Sequence, residues 1–230
     1  MRWEFLFRVC KLSDMDESFG LCEQVQDPGI AAMTSDDVWK ETELVQSRHL
    51  RVTHFEVPTR RSLISPLRER LLSSVSDFDI VDAGRQNHFC MALEEALNNA
   101  FYHGNLEISS ELKEGGSSAF IELARERELQ EPYRSRQIKV TEIVGLFGLW
   151  ICICDEGSGF DVGAAMERCT NPELMLASGR GLLLMKGFTD ELIFNGNGNE
   201  VTLVLYRTDE DREKALLADP NTGEITRIIS

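Results

Sequence analysis

Apolar positions along the chain recur at two spacings, and each change of spacing marks an element. Residues 51–58, RVTHFEVP, alternate as a short strand does. Leu63, Ile64, Leu67, Leu71 and Val75 then follow helical spacing, which predicts an amphipathic helix over 60–76. SDFD and DAG within 76–84 form a connection, and a second helix is predicted from about 85 to 103. Two strand candidates follow at 138–144 and 147–154, the second ending in WICICD. A loop or short helix occupies 161–177, and a glycine turn opens a helix at 181–188. Strands at 190–195 and 200–207 are joined by NGNGN, a link that favours a hairpin.

Three stretches fall outside this pattern. Residues 1–50 show weak periodicity and read as an N-terminal extension, partly disordered. Residues 107–137 are charged, broken by Gly-Gly-Ser-Ser, and hold one short exposed helix, IELARERELQ. The tail 208–230 is polar. The organised region is therefore 51–207, with 107–137 inserted in it. Its element order predicts an α+β sandwich with helices on one face of a mixed sheet.

Charge narrows the partners. The 230-residue chain has a formal net charge of −15. Gripping DNA or an anionic membrane needs Lys and Arg against phosphates, so neither is expected as a partner. One Mg ion and backbone N–H groups can still hold a nucleotide's phosphates. Cys10, Cys22, Cys90, Cys152, Cys154 and Cys169 form no C-x-x-C pair and read as buried thiols, not zinc ligands. MRWEFLFRVCKLSD has too short an apolar run for a secretory signal, and no stretch suits a membrane span. A cytoplasmic protein is expected.

Candidate chemistry sits in three segments. In 92–105, ALEEALNNAFYHGN, Leu93, Ala96, Leu97, Ala100 and Phe101 share one arc of the helix, while Glu95 and Asn99 lie together on the other side. A carboxamide oxygen suits Mg, and a neighbouring carboxylate can orient or deprotonate a hydroxyl. In 155–162, DEGSGFDV, Gly157 and Gly159 allow backbone to approach a ligand, and Asp155 can accept a hydrogen bond from an exocyclic amine. In 178–186, SGRGLLLMK, Gly179 and Gly181 lead into a helix whose first amides point at an anion. Each segment taken alone also reads plainly, as a solvated polar face, a strand-to-loop turn and a glycine-rich helix start.

The order and placement of the three together resemble the GHKL superfamily of gyrase-type ATPases, chaperones and histidine kinases. More narrowly they are similar to the anti-sigma-factor serine/threonine kinases of bacteria. The motif E-A-x-x-N-A-x-x-H-G matches Glu95, Ala96, Asn99, Ala100, His103 and Gly104. D-x-G-x-G-F matches Asp155, Gly157, Gly159 and Phe160, and G-R-G-L-x-L-M matches Gly179, Arg180, Gly181, Leu182, Leu184 and Met185. The resemblance covers about 52–207 and implies a Bergerat-type two-layer α/β sandwich binding ATP and Mg²⁺. Under it Glu95 is the general base, Asn99 the Mg ligand and Asp155 the adenine contact. His103, Gly157, Gly159, Phe160, Gly179, Arg180, Gly181 and Leu182 surround the nucleotide, and the residues between the two glycine motifs form a lid. Glu94 and Asn98 make a rival i,i+4 pair, but only Asn99 is followed by the motif's Ala and by His four residues later.

The function implied is a bacterial serine/threonine kinase and anti-sigma regulator. Its substrate would be an anti-anti-sigma, STAS-type protein, and its target a sigma factor. A non-catalytic ATP-binding interaction module is the first alternative, and the ATPase part of a histidine-kinase-like system the second. His49 and His54 lie in or beside a strand, which suits a phospho-acceptor poorly. A gyrase- or chaperone-like machine would need more chain than 230 residues. None of 107–137 is assigned to the nucleotide site. It is expected to be either a solvated excursion or a contact surface, between two copies in a homodimer or with the regulated partner.

Overall fold

The computed structural model describes residues 38–47, 49–110, 112, 117–170, 180–218 and 226–229. Among the described residues, seven strands form one sheet: β1 (Lys40–Gln46), β2 (Leu50–Pro58), β3 (Gln137–Gly145), β4 (Gly148–Cys154), β5 (Glu191–Phe194), β6 (Glu200–Tyr206) and β7 (Thr226–Ile229). Their order is β1-β2-β3-β4-β6-β5-β7, and every pairing is antiparallel. The sandwich is as expected, but the sheet is not mixed. Only a few residues separate β1 from β2, β3 from β4 and β5 from β6, which forces antiparallel pairing.

Five helices precede the last strands or lie between them: α1 (Arg61–Asp77), α2 (Ala83–Asn98), α3 (Ser117–Arg127), α4 (Val162–Thr170) and α5 (Arg180–Phe188). A sixth, α6 (Asp209–Ala218), follows β6. The apolar stripe of α1 buries Leu63, Ile64, Leu67, Leu71 and Val75, the five positions that set its period. α2 starts at Ala83 because the Asp82 carboxylate accepts from the Arg85 N–H at 2.9 Å, an N-cap. These stripes join Phe55, Val57, Val140, Leu149, Ile151 and Leu203 in one core between the helices and the sheet. Val52, Ile143, Trp150, Val204 and Tyr206, at the alternate strand positions, form a smaller cluster of their own.

Three segments carry more structure than their sequence suggests. β1 lies inside the predicted extension and pairs with β2 through a bulge between Glu43 and Val45. α6 and β7 lie inside the polar tail, and β7 pairs with β5. α3 is not simply an exposed helix. Phe120 and Ala124 are buried in the main core, and the Phe120 ring tilts against Tyr102 with centroids 4.9 Å apart. Leu129, just beyond α3, is 69% exposed. No helix of the described residues is long and apolar enough to cross a membrane.

Candidate functional site

α2 does not end as an ordinary helix. From Asn99 to Asn105 it widens into a π-helical stretch, and the Leu106 N–H reaches back five residues to the Phe101 carbonyl at 3.0 Å. The α-helix predicted to 103 thus ends at Asn98. Glu95 on α2, with Asn99 and His103 on this stretch, lines one cavity of about 700 Å³, within the range of small-ligand sites. Glu94 instead points away and pairs with Arg68 at 2.5 Å, so the two rival pairs occupy different surroundings. His103 Nδ1 lies 2.6 Å from the Ile108 carbonyl, which fixes the ring at the cavity wall.

The β4–α4 loop closes on this helix end. Gly104 and Asp155 touch so closely that a Cβ on Gly104 would lie 2.3 Å from the Asp155 carboxyl carbon. Gly157 packs the other way, with a Cβ there 2.4 Å from the Gly104 carbonyl oxygen. The Gly157 N–H donates to Asp155 Oδ1 at 2.8 Å, fixing the carboxylate's rotamer. Gly157 thus shapes the site from behind and does not line the cavity, whereas Asp155, Gly159 and Phe160 do. Gly159 has φ +75°, and a side chain there would strike the Asn197 carbonyl. Phe160 is 42% exposed at the rim and meets Phe194 edge-on at 5.9 Å. The turn between β5 and β6 holds this loop, since the Asp155 N–H donates to the Asn199 carbonyl at 3.0 Å and the Phe160 N–H to that of Asn197 at 3.1 Å.

α5 supplies the third wall through Arg180, Gly181 and Leu182. A Cβ on Gly181 would stand 2.8 Å from Glu95 Oε2 and 3.9 Å from Asn99 Nδ2. The start of α5 therefore faces both Glu95 of α2 and Asn99 of the π-helical stretch. Gly179 lies outside the described residues, as does 171–179 of the expected lid. The part of that lid nearest the first glycine motif is helix α4.

Electrostatics divide the cavity. Burial raises the Asp155 carboxyl to about 6, against the opposing pull of the Gly157 N–H and the Arg136 charge. Arg168 on α4 and Arg180 on α5 bring positive charge to the same cavity. Ile153, Met185, Val201 and Phe194 give it an apolar lining. This arrangement fits an adenine nucleotide: a hydrogen-bond acceptor at one wall, apolar sides for a base, and a helix start with arginines for phosphates. Among the described residues no three His, Cys, Asp or Glu side chains group as a metal cage. Asn99 offers a neutral side-chain oxygen, a donor Mg²⁺ accepts when phosphates and water complete its shell, and the Glu95 carboxylate stands beside it.

Sequence reasoning missed part of the lining. Ser109, Ser110 and Ile108 belong to the inserted segment, none of which the motifs assign to the site, yet they line the cavity. Arg127, from α3, donates to the Leu106 and Glu107 carbonyls at 2.6 and 2.8 Å. The inserted segment therefore builds and braces one wall of the site. Its only sequence signal was apolar residues at helical spacing in IELARERELQ. Arg168 and Glu200 also line the cavity outside any motif.

The family described as histidine kinase-like ATPase domain matches residues 57–205. No curated protein matches the chain.

Proposed function

Since the chain belongs to the histidine kinase-like ATPase domain family, we propose that it binds Mg-ATP here and phosphorylates a serine or threonine of a partner protein. Membership of the family implies ATP binding. The observation that supports catalysis as well is the facing of Glu95 and Asn99 against Gly181, in the same cavity as Asp155.

Each residue then has a task. Asp155 accepts a hydrogen bond from the adenine amine. Asn99 gives its side-chain oxygen to Mg²⁺, which neutralises phosphate charge. Arg168, Arg180 and the first amides of α5 hold phosphate oxygens. Glu95 takes the proton of the attacking hydroxyl as its oxygen bonds to the γ-phosphorus. The bond from that phosphorus to the bridging oxygen breaks, and ADP leaves. Positioning and charge neutralisation carry most of such a transfer, and the base adds about 10²–10⁴ in rate.

The partner proposed is a STAS-type anti-anti-sigma protein, with a sigma factor as the regulated target. The test is incubation of the purified chain with γ-labelled ATP and STAS proteins of the same genome. Acid-stable label on a partner serine or threonine, absent with Glu95→Ala, is the expected result. Acid-labile label would instead indicate phosphohistidine chemistry. ATP binding without transfer to any partner would leave a non-catalytic interaction module.

A further inference from the structure

Asn105 is fully buried at the end of the π-helical stretch, and its polar groups reach three other elements. Its side-chain Oδ1 accepts from the Glu156 N–H at 2.7 Å, and its Nδ2 donates to Thr59 Oγ1 at 2.8 Å. Its backbone carbonyl accepts from Arg136 Nη1 at 2.7 Å. Thr59, also fully buried, donates from its hydroxyl to the Arg136 carbonyl at 2.6 Å. The three residues therefore form a closed ring of hydrogen bonds at the corner where β2 turns into α1, where β3 begins and where the π-helical stretch ends. Glu156, whose N–H this ring holds, directly follows Asp155. Its own carboxylate accepts from the Gln137 N–H at 3.0 Å and from Lys139 Nζ at 3.2 Å.

We propose that Asn105 is a positioning residue for base recognition, holding the Asp155 loop at a fixed separation from the helix that carries Glu95 and Asn99. The inference rests on the nucleotide reading of the cavity. Glu95 and Asn99 sit on α2 and its extension, whereas Asp155 sits on the β4–α4 loop. The close packing of Gly104 with Asp155 and Gly157 limits how near the loop can come. Asn105 limits how far it can leave, because the Glu156 N–H is tied to it directly. Repulsive contact on one side and a hydrogen bond on the other leave one seat for the Asp155 carboxylate. A carboxamide suits this job because it accepts and donates at once, where an aspartate could only accept and an aliphatic side chain could do neither. Arg136 closes the ring from the end of the inserted segment. Arg136 thereby acts on base recognition from outside the cavity lining.

The test compares Mg-ATP with Mg-ITP, whose base lacks the 6-amino group, on the full chain. Wild type is expected to prefer ATP. Asn105→Ala should lower that preference by about tenfold, the ratio expected for one ordinary hydrogen bond lost from recognition. Thr59→Val, which keeps the shape and removes the hydroxyl, should lower it less, and Thr59→Ser should restore it. Leu71→Ala, in the core of α1, serves as a destabilised control and should keep the wild-type ratio. If Asn105→Ala does not fold, Thr59→Val decides the question. A wild-type ATP/ITP ratio in folded Asn105→Ala or in Thr59→Val overturns the inference while leaving the nucleotide reading intact. Failure of the wild-type chain to bind either nucleotide overturns both.

Discussion

Glu95 Oε2 and the backbone of Gly181 meet so closely that a methyl group on Gly181 would lie 2.8 Å from the carboxylate. The atom in the way is the tip of a flexible side chain, so it is Glu95 that gives. Gly181→Ala should therefore act on chemistry and spare the fold. Alanine in the first turn of α5 favours the helix by about 0.5–1 kcal/mol over glycine. Melting temperature is expected to stay level or rise, nucleotide affinity to stay within a few fold, and phosphoryl transfer to fall by about tenfold or more. Unchanged transfer in this variant would mean that the Glu95 rotamer has no part in it.

Glu95 and Asn99 should separate chemistry from metal binding. Glu95→Ala is expected to keep nucleotide affinity within a few fold and to lose about two to four orders of magnitude in transfer. Asn99→Ala is expected to weaken Mg-ATP while leaving adenosine affinity near wild type. Calorimetry with both ligands checks this, and equal loss for both would assign Asn99 to packing.

Asp155 gives a pH dependence of definite sign. Its carboxyl titrates near 6 in the folded chain, above its ordinary value of 3.8. Between those values the folded state holds the proton more firmly than the unfolded state, so this group's stabilising contribution falls as pH rises through about 6. Ligand binding runs the opposite way, because the ionised carboxylate is the better acceptor for the adenine amine. Adenosine has no phosphate to titrate, so its affinity is expected to rise between pH 5 and 7 and then level off. Asp155→Asn should flatten that profile. A wild-type profile already flat would remove Asp155 from base recognition.

Glu142 supports the frame beneath α1. It is fully buried on β3, with Arg51 at 3.7 Å and Arg70 at 4.0 Å. Burial raises its carboxyl, while Ser74 and the two arginines pull it down. Glu142→Ala would leave Arg51 with Asp77 at 3.9 Å and Arg70 with Glu41 at 2.5 Å, so the loss falls short of the about 3–5 kcal/mol that breaking a fully buried pair costs. Arg51 and Arg70 also keep 14% and 25% exposure, so a loss of about 1–2 kcal/mol is expected. Chemical denaturation should show this loss with nucleotide affinity little changed.

Much of this frame was legible in the sequence, for reasons that also explain what was not. Leu63, Ile64, Leu67, Leu71 and Val75 predict α1 because their period and their burial are the same fact. Asp155, Gly159 and Gly181 stand out because close backbone approach needs particular residue types at fixed offsets from an element's end. Glu142 breaks the apolar alternation of β3, and only the arginines brought from β2 and α1 explain it. β1 was hidden because KETELVQ is mostly exposed at a sheet edge and carries little apolar signal. The π-helical stretch was hidden because no local residue preference marks it. It follows from Gly104 packing on Asp155 and from Asn105 reaching Thr59, 46 residues earlier. The wall formed by Ile108, Ser109 and Ser110 was missed for a similar reason, since its braces, Arg127 and Arg136, lie in a stretch that reads as solvated charge.

Binding of ATP in the cavity between Asp155 and Gly181 underlies every role assigned here. The most direct test is isothermal titration of the full chain with ATP and with ADP in the presence of Mg²⁺, repeated with Asp155→Ala. The account predicts saturable one-to-one binding of both nucleotides to the wild-type chain, weakened in Asp155→Ala by about 1.5–3 kcal/mol, the loss expected for one charge-assisted hydrogen bond. A folded wild-type chain that takes up neither nucleotide, or an Asp155→Ala chain that binds both at wild-type affinity, would contradict it.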